Sequence, residues 1–83
     1  MLKTGKYRHY KGNFYEVLGV CYLAGPATEC VLYRQLYDAA DFPNGTMWAR
    51  PVDEFFGKIV IDGVERERYE YVPDALPHPT LSL

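Results

Sequence analysis

Residues 5–20 read GKYRHYKGNFYEVLGV, and this stretch decides the fold. Aromatic and aliphatic side chains are interleaved with charged ones on both sides of a turn signal, KGN, at residues 11–13. Such interleaving is typical of strands that bury one face. The stretch therefore predicts a β-hairpin whose strands cover residues 5–10 and 14–23.

The register of this hairpin determines which side chains share a face. Pairing His9 with Tyr15 would bring four side chains to one face, those of Tyr7, His9, Tyr15 and Val17. A histidine there is either a structural residue hydrogen-bonded at the rim of the sheet, or a ligand contact or weak general base. Its unperturbed pKa of about 6.5 suits either role, so both interpretations stay open.

Strand-forming residues also dominate the rest of the chain, and no segment carries a long helical stripe. An Asp-Gly dipeptide at residues 62–63 predicts a type I′ hairpin between flanking strands. Residues 52–56 suit a single helical or 3₁₀ turn, and residues 38–45 form a loop rich in turn formers. Further strands are predicted over residues 29–37, 46–50, 59–61, 64–65 and 66–72.

Strands this short and this few cannot build two large packed sheets. A small, strongly bent sheet that hides its own edges is the economical alternative. We therefore predict an all-β (mainly β) domain over residues 1–73, an SH3-like barrel of five to six short antiparallel strands with one helical turn. Residues 74–83 are proline-rich and predict an irregular C-terminal tail.

Three blocks of sequence form a recognisable set of motifs. They are residues 7–20, VLYRQLY at residues 31–37, and WARP at residues 48–51 followed by DEFF at 53–56 and by Asp62-Gly63. Together they resemble the small bacterial family called domain of unknown function 1653 (DUF1653), over residues 4–72. The resemblance implies an SH3-like barrel and no agreed activity. It implies nothing about the two cysteines or about the tail.

Composition argues against several classes of function. Nine basic residues against eleven acidic ones give a net charge of −2, which disfavours general binding to nucleic acid. No apolar run approaches the roughly 18 residues that a membrane helix needs, and no signal peptide is evident. Two cysteines are too few for a disulfide framework. We therefore expect a cytoplasmic protein with no membrane association.

The sequence also lacks the usual catalytic and metal-binding sets. The single serine, Ser82, lies in the tail and is a poor candidate for a nucleophile. The two histidines, His9 and His78, are far apart and match no metal-ligand spacing. The acids of residues 65–70 alternate with arginines, as on a solvated strand face. We predict no catalytic residue, no metal and no cofactor.

Cys21 and Cys30 would lie opposite each other if the second and third strands pair Tyr22 with Glu29. In that register the two thiols are either buried hydrophobes or a redox pair. The first interpretation is favoured because no Cys-x-x-Cys spacing lowers a thiol pKa.

Two arginines lie within strand-forming blocks. Arg34 and Arg50 can each pair with a nearby acid, such as Glu16 or Asp53. Alternatively, Arg50 shares a face with Trp48, and the pair could stack a planar group and bind an anion. A role for Trp48 in the core competes with this second interpretation.

These observations favour a non-catalytic binding module that presents an aromatic and basic surface to a peptide or a small anionic ligand. The candidate ligand-binding residues are His9, Tyr10, Tyr33, Arg34, Trp48 and Arg50. One alternative is a small hydrolase that uses His9 with Glu16 or a tyrosine. Another is a structural subunit that assembles with itself, for example as a homodimer, because burying more apolar area offsets a thin core.

Overall fold

A computed structural model describes residues 2–73, and it confirms the all-β class. The predicted tail at residues 74–83, with Ser82 and His78, lies outside the described residues. The elements in chain order are β1 (Gly5–His9), β2 (Phe14–Tyr22), β3 (Glu29–Gln35), β4 (Met47–Pro51), α1 (Val52–Phe55), β5 (Lys58–Ile61), β6 (Val64–Glu67) and β7 (Tyr69–Tyr71).

The strands form two antiparallel sheets. Five strands pair in the order β4-β3-β2-β1-β7, and β5 pairs with β6 as a separate hairpin. Residues 66–72, predicted as one strand, are divided between β6 and β7. The break falls at Arg68, whose N–H donates to the carbonyl of Gly57 while its own carbonyl accepts from the N–H of Tyr10. The described residues therefore contain seven strands rather than five or six.

The first hairpin has a different register from the predicted one. Tyr7, not His9, lies opposite Tyr15, because the His9 N–H donates to the carbonyl of Asn13 at 2.8 Å and the chain turns between these two residues. The observed register differs from the predicted one by two residues. Because side chains alternate between the two faces with a period of two, a shift of two residues leaves each side chain on the same face. The predicted grouping on one face therefore survives the wrong pairing.

The five-stranded sheet is strongly curled. Two strands separate β3 from β7, so side chains on these strands would lie about 14 Å apart on a flat sheet with strands about 4.8 Å apart. Instead the hydroxyls of Tyr33 and Tyr69 are 3.2 Å apart. A β-bulge at Leu18, between the pairs Val17–Tyr33 and Gly19–Leu32, contributes to the bend.

The curled sheet does not close into a barrel. Within residues 2–73 no strand pairing joins the edge strands β4 and β7, so the closure expected of an SH3-like barrel is not confirmed. Side chains span the opening instead, since Arg50 of β4 hydrogen-bonds Tyr33 and Tyr33 hydrogen-bonds Tyr69 of β7. We call the concave face, which carries these side chains, the inner face.

Phe55 lies at the centre of the core on this inner face. Its ring is fully buried, stacks on Tyr69 at 4.1 Å and receives the ring edges of Tyr7 and Tyr33. Helix α1 thus covers the sheet with a single aromatic side chain. Among residues 2–73 there is no helix with the length and apolar character to cross a bilayer.

Strands β2 and β3 pair in the register that places the two cysteines opposite each other. Cys21 lies opposite Cys30, and Tyr22 lies opposite Glu29. Both thiols are free, and the buried Cys30 donates to the carbonyl of Thr28. Burial raises the pKa of the Cys30 thiol, so this side chain stays protonated and acts as a small hydrophobe.

Candidate functional site

A cavity of about 250 Å³ opens on the inner face. All five strands of the larger sheet contribute to its wall, together with the loop between β3 and β4. We call the cavity the tyrosine pocket; it is lined by His9, Tyr15, Tyr33, Gln35, Tyr37, Ala39, Phe42, Trp48, Arg50 and Tyr69.

Two pairs of tyrosine hydroxyls define the polar part of the pocket. Tyr15 and Tyr37 share a hydrogen bond of 2.6 Å, and Tyr33 and Tyr69 share one of 3.2 Å. Each hydroxyl carries one hydrogen, so in each pair one O–H remains available to a further acceptor. Burial raises the pKa of Tyr15 and of Tyr69, and hydrogen bonding adds to the effect. The phenols of Tyr15 and Tyr69 are therefore neutral at physiological pH and can donate hydrogen bonds.

Arg50 supplies the positive charge of the pocket. Its Nε donates to the Tyr33 hydroxyl at 3.4 Å, and its Nη1 lies 3.3 Å from a Glu54 carboxylate oxygen. The hydrogen bond to Tyr33 is the main reason that the pKa of Arg50 is raised, and Tyr69 contributes further. These bonds use only part of the N–H donors of a guanidinium. With 34% of its side chain exposed, Arg50 can still meet a ligand from solvent.

Gln35 positions the pocket wall, although it belongs to none of the candidate residues predicted from the sequence. Its side chain is 1% exposed, and its Nε2 donates to the carbonyls of Tyr37 at 2.9 Å and Phe42 at 2.6 Å. Its Oε1 accepts from the Trp48 indole N–H at 2.9 Å. The sequence does contain a signal for this role, because Val31, Tyr33 and Gln35 alternate along β3 and so share one strand face. It places an amide among buried side chains, where it requires partners.

Trp48 and Phe42 form the apolar wall. Their rings meet edge-to-face with centroids 4.9 Å apart, and Trp48 is half-buried. Because Gln35 fixes the indole N–H, the ring face is held in one orientation beside the cavity. This arrangement can accommodate a planar group with little loss of side-chain entropy.

His9 is held in its neutral form at the pocket rim. The backbone N–H of Lys11 donates to its Nδ1 at 3.2 Å, which requires a lone pair on that nitrogen and places the proton on Nε2. Burial lowers the pKa of His9, and the nearby charges of Lys11, Arg50 and Arg68 lower it further. The imidazole is thus a further neutral N–H donor beside the pocket.

The chain matches the family model described as a protein of unknown function (DUF1653) over residues 5–71. It belongs to the DUF1653 family. The resemblance found in the sequence is thereby confirmed, and the matched residues include every residue that lines the tyrosine pocket. The crystal structure of a DUF1653 protein from Bordetella bronchiseptica is similar, with 29% identity, a TM-score of 0.79, and coverage of 92% of this chain and 94% of that chain. No functionally curated protein matches the chain.

The structure brings four of the six candidate residues of this DUF1653 chain together. His9, Tyr33, Trp48 and Arg50 line the tyrosine pocket. Tyr10 packs against His9 with ring centroids 4.4 Å apart, but it faces a neighbouring, larger groove of about 530 Å³. That groove is lined by both acidic and basic residues, so its charges do not select for an anionic or a cationic ligand.

Arg34 lies on the opposite, outer face of the sheet. It pairs with Glu16 at 2.6 Å, which is one of the acids that the sequence suggested for it. Arg50 also has an acidic neighbour, but this is Glu54 rather than Asp53. Because Glu16 is on the outer face, it is not placed to act with His9, and of the two partners named in the hydrolase alternative only a tyrosine lies near the imidazole. Within residues 2–73, no cluster of three or more His, Cys, Asp or Glu residues is suited to a metal ion.

The lowered pKa of His9 predicts a specific pH dependence of stability. Because the unfolded chain binds the proton more readily, the contribution of His9 is complete above the unfolded pKa of about 6.5 and is lost as the pH falls through the folded pKa. A His9→Gln variant should therefore lose less stability than the parent on going from neutral to mildly acidic pH. Urea denaturation across this range measures the difference, and NMR titration of the imidazole reports the pKa directly. A folded pKa at or above 6.5 would contradict this assignment.

Proposed function

We propose that this DUF1653 chain is a non-catalytic binding module whose tyrosine pocket takes a small anionic ligand, a carboxylate carried on a planar group. The observation that supports this most directly is the chemistry of the lining. The lining holds one cation and several neutral N–H and O–H donors, and no carboxylate lines the cavity among the described residues. Such a surface is complementary to an oxyanion.

The donors come from different strands but converge on one cavity. They are the guanidinium of Arg50, the Nε2–H of His9 and one spare O–H from each tyrosine pair. Arg50 is the strongest of them because hydrogen bonds to a charged partner exceed those between neutral groups. Glu54 competes for one edge of the guanidinium, but it is well exposed, so solvent weakens its hold.

The apolar wall supports a planar ligand rather than a bare ion. Trp48 and Phe42 stand beside the donors, and the cavity volume suits a single ring with its carboxylate. Aromatic rings add stacking contacts that a spherical ion cannot use. A free phosphate or chloride would therefore gain only the electrostatic part of the interaction.

The electrostatics favour binding over catalysis. The phenols of Tyr15 and Tyr69 have raised pKa values, which disfavours a tyrosinate nucleophile or base. His9 has a lowered pKa, and its Nδ1 accepts from a backbone N–H rather than from a group that would orient it for proton transfer. These features supply donors to a ligand without supplying a reacting pair.

Titration with benzoate, and with benzamide as its uncharged counterpart, tests the proposal. Saturable changes in Trp48 fluorescence and in the amide shifts around the pocket are expected for benzoate, with weaker effects from benzamide and from inorganic phosphate. An Arg50→Gln variant should weaken benzoate binding about tenfold or more, because a charge-assisted hydrogen bond contributes about 1.5–3 kcal/mol.

Arg34→Gln is the matched control. It removes the same charge from the neighbouring strand on the outer face, so binding should stay within about twofold of the parent. The proposal fails if no carboxylate produces shifts at millimolar concentration. It also fails if the two arginine variants weaken binding equally, because the effect would then be one of overall charge.

A further inference from the structure

Strand β4 is an edge of the five-stranded sheet, and no strand among residues 2–73 pairs with its outer side. Its pairing with β3 fixes where its backbone groups point. The N–H of Gln35 donates to the carbonyl of Thr46, so the backbone groups of Trp48 and Arg50 face β3. In an antiparallel ladder the alternate residues, Met47 and Ala49, then direct both N–H and C=O outward.

This edge has little of the usual protection against pairing, because the single charged side chain of β4, Arg50, lies on the inner face and is already engaged by Tyr33 and Glu54. Natural edge strands carry charged side chains, prolines, bulges or a covering element. On β4 the outer face presents Met47, 50% exposed, and Ala49, and Pro51 lies only at the end of the strand. On the inner face Trp48 is packed against Phe42, which is itself 44% exposed. Apolar side chains therefore flank both sides of an open row of donors and acceptors.

The other edge, β7, differs in these respects. It has three residues, and its outward side chain Glu70 is charged and paired with Arg8. A charge at this position disfavours the addition of a further strand. A head-to-tail contact of β4 with β7 would also leave an open edge at each end, whereas a contact of β4 with itself closes.

We propose that β4 pairs antiparallel with β4 of a second copy of this chain, around a two-fold axis at Trp48. In this register Met47 lies opposite Ala49 of the partner subunit. By symmetry, Ala49 lies opposite Met47 of the partner subunit. Each pair exchanges both N–H···O=C bonds, so every outward group of the two residues is used. The Trp48 side chains meet across the axis as a non-hydrogen-bonded pair, in which side chains approach most closely.

The interface is small, and the dimer therefore belongs to the transient class. Sedimentation velocity from micromolar to millimolar concentration should show reversible self-association of the parent chain. Two double variants place like charges opposite each other across the axis: Met47→Lys with Ala49→Lys, and Met47→Glu with Ala49→Glu. Each variant alone should dimerise about tenfold more weakly, because like charges directly opposite are unfavourable.

An equimolar mixture of the two variants distinguishes this register from general charge effects. Lysine then lies opposite glutamate at both pairs, so the mixture should associate about as tightly as the parent. Both substituted side chains are exposed, and circular dichroism checks that the fold is kept. A Val60→Lys, Val64→Lys variant charges the exposed β5–β6 hairpin and should leave association unchanged.

Three outcomes would overturn the proposal. The parent could remain monomeric at millimolar concentration, or the like-charged variants could associate as the parent does. The mixture of oppositely charged variants could also fail to recover. If association is lost in the hairpin variant instead, the second copy docks on the β5–β6 hairpin and not on β4.

Discussion

Replacing Phe55 with alanine is expected to leave a large fraction of the protein unfolded at room temperature. Phe55 is fully buried and contacts tyrosines on three strands, namely Tyr7 of β1, Tyr33 of β3 and Tyr69 of β7. A buried Phe→Ala change costs about 3–5 kcal/mol, and the lost aromatic pairs place this site at the upper end. Small domains have total stabilities near the lower end of about 5–15 kcal/mol. The loss is therefore close to the whole stability.

The neighbouring residue provides a matched control. Phe56 has the same side chain, but it is 45% exposed, so Phe56→Ala should cost about 1 kcal/mol. Urea denaturation followed by circular dichroism measures both free energies of unfolding. Equal losses for the two variants would contradict the placement of Phe55 at the centre of the core.

The features that could be predicted from sequence are those set by local periodicity. The Asp62-Gly63 turn is an example, because both residues have positive φ, 52° and 79°, as a type I′ turn requires. The facing cysteines were predictable only on the condition that Tyr22 pairs with Glu29, because a slip of one residue would separate the thiols. The same rule could have excluded Arg34 from the site. Tyr33 points inward, so the next residue on the strand must point outward.

The features that could not be predicted depend on the curvature of the whole sheet. Tyr15 belongs to the first hairpin, but its hydroxyl partner Tyr37 follows β3. Tyr69 meets Tyr33 only because the sheet bends across four strands. No sequence pattern of the individual strands encodes these distances. The hydroxyl pairs that define the candidate site therefore emerge only in the folded chain.

Replacing Gln35 with leucine is expected to destabilise the protein by about 3 kcal/mol and to release the wall of the tyrosine pocket. Leucine has a similar volume, so the change creates little cavity. It leaves the carbonyls of Tyr37 and Phe42 and the indole N–H of Trp48 without their side-chain partner. A buried polar group that loses its partner costs about 1–3 kcal/mol, and partial exposure of these groups moderates the sum. The Trp48 emission should shift to longer wavelength as the indole becomes more solvated.

A Gln35→Glu variant separates the hydrogen bonds from packing. At neutral pH its carboxylate still accepts from Trp48, but it can donate to neither carbonyl, so stability should fall as it does with leucine. Protonation restores one O–H donor. The deficit relative to the parent at the same pH should therefore shrink on acidification, whereas that of the leucine variant should not, since leucine does not titrate. If the glutamate variant shows no such recovery, or if leucine is tolerated without loss, Gln35 does not hold the loop and Trp48 together through these three bonds.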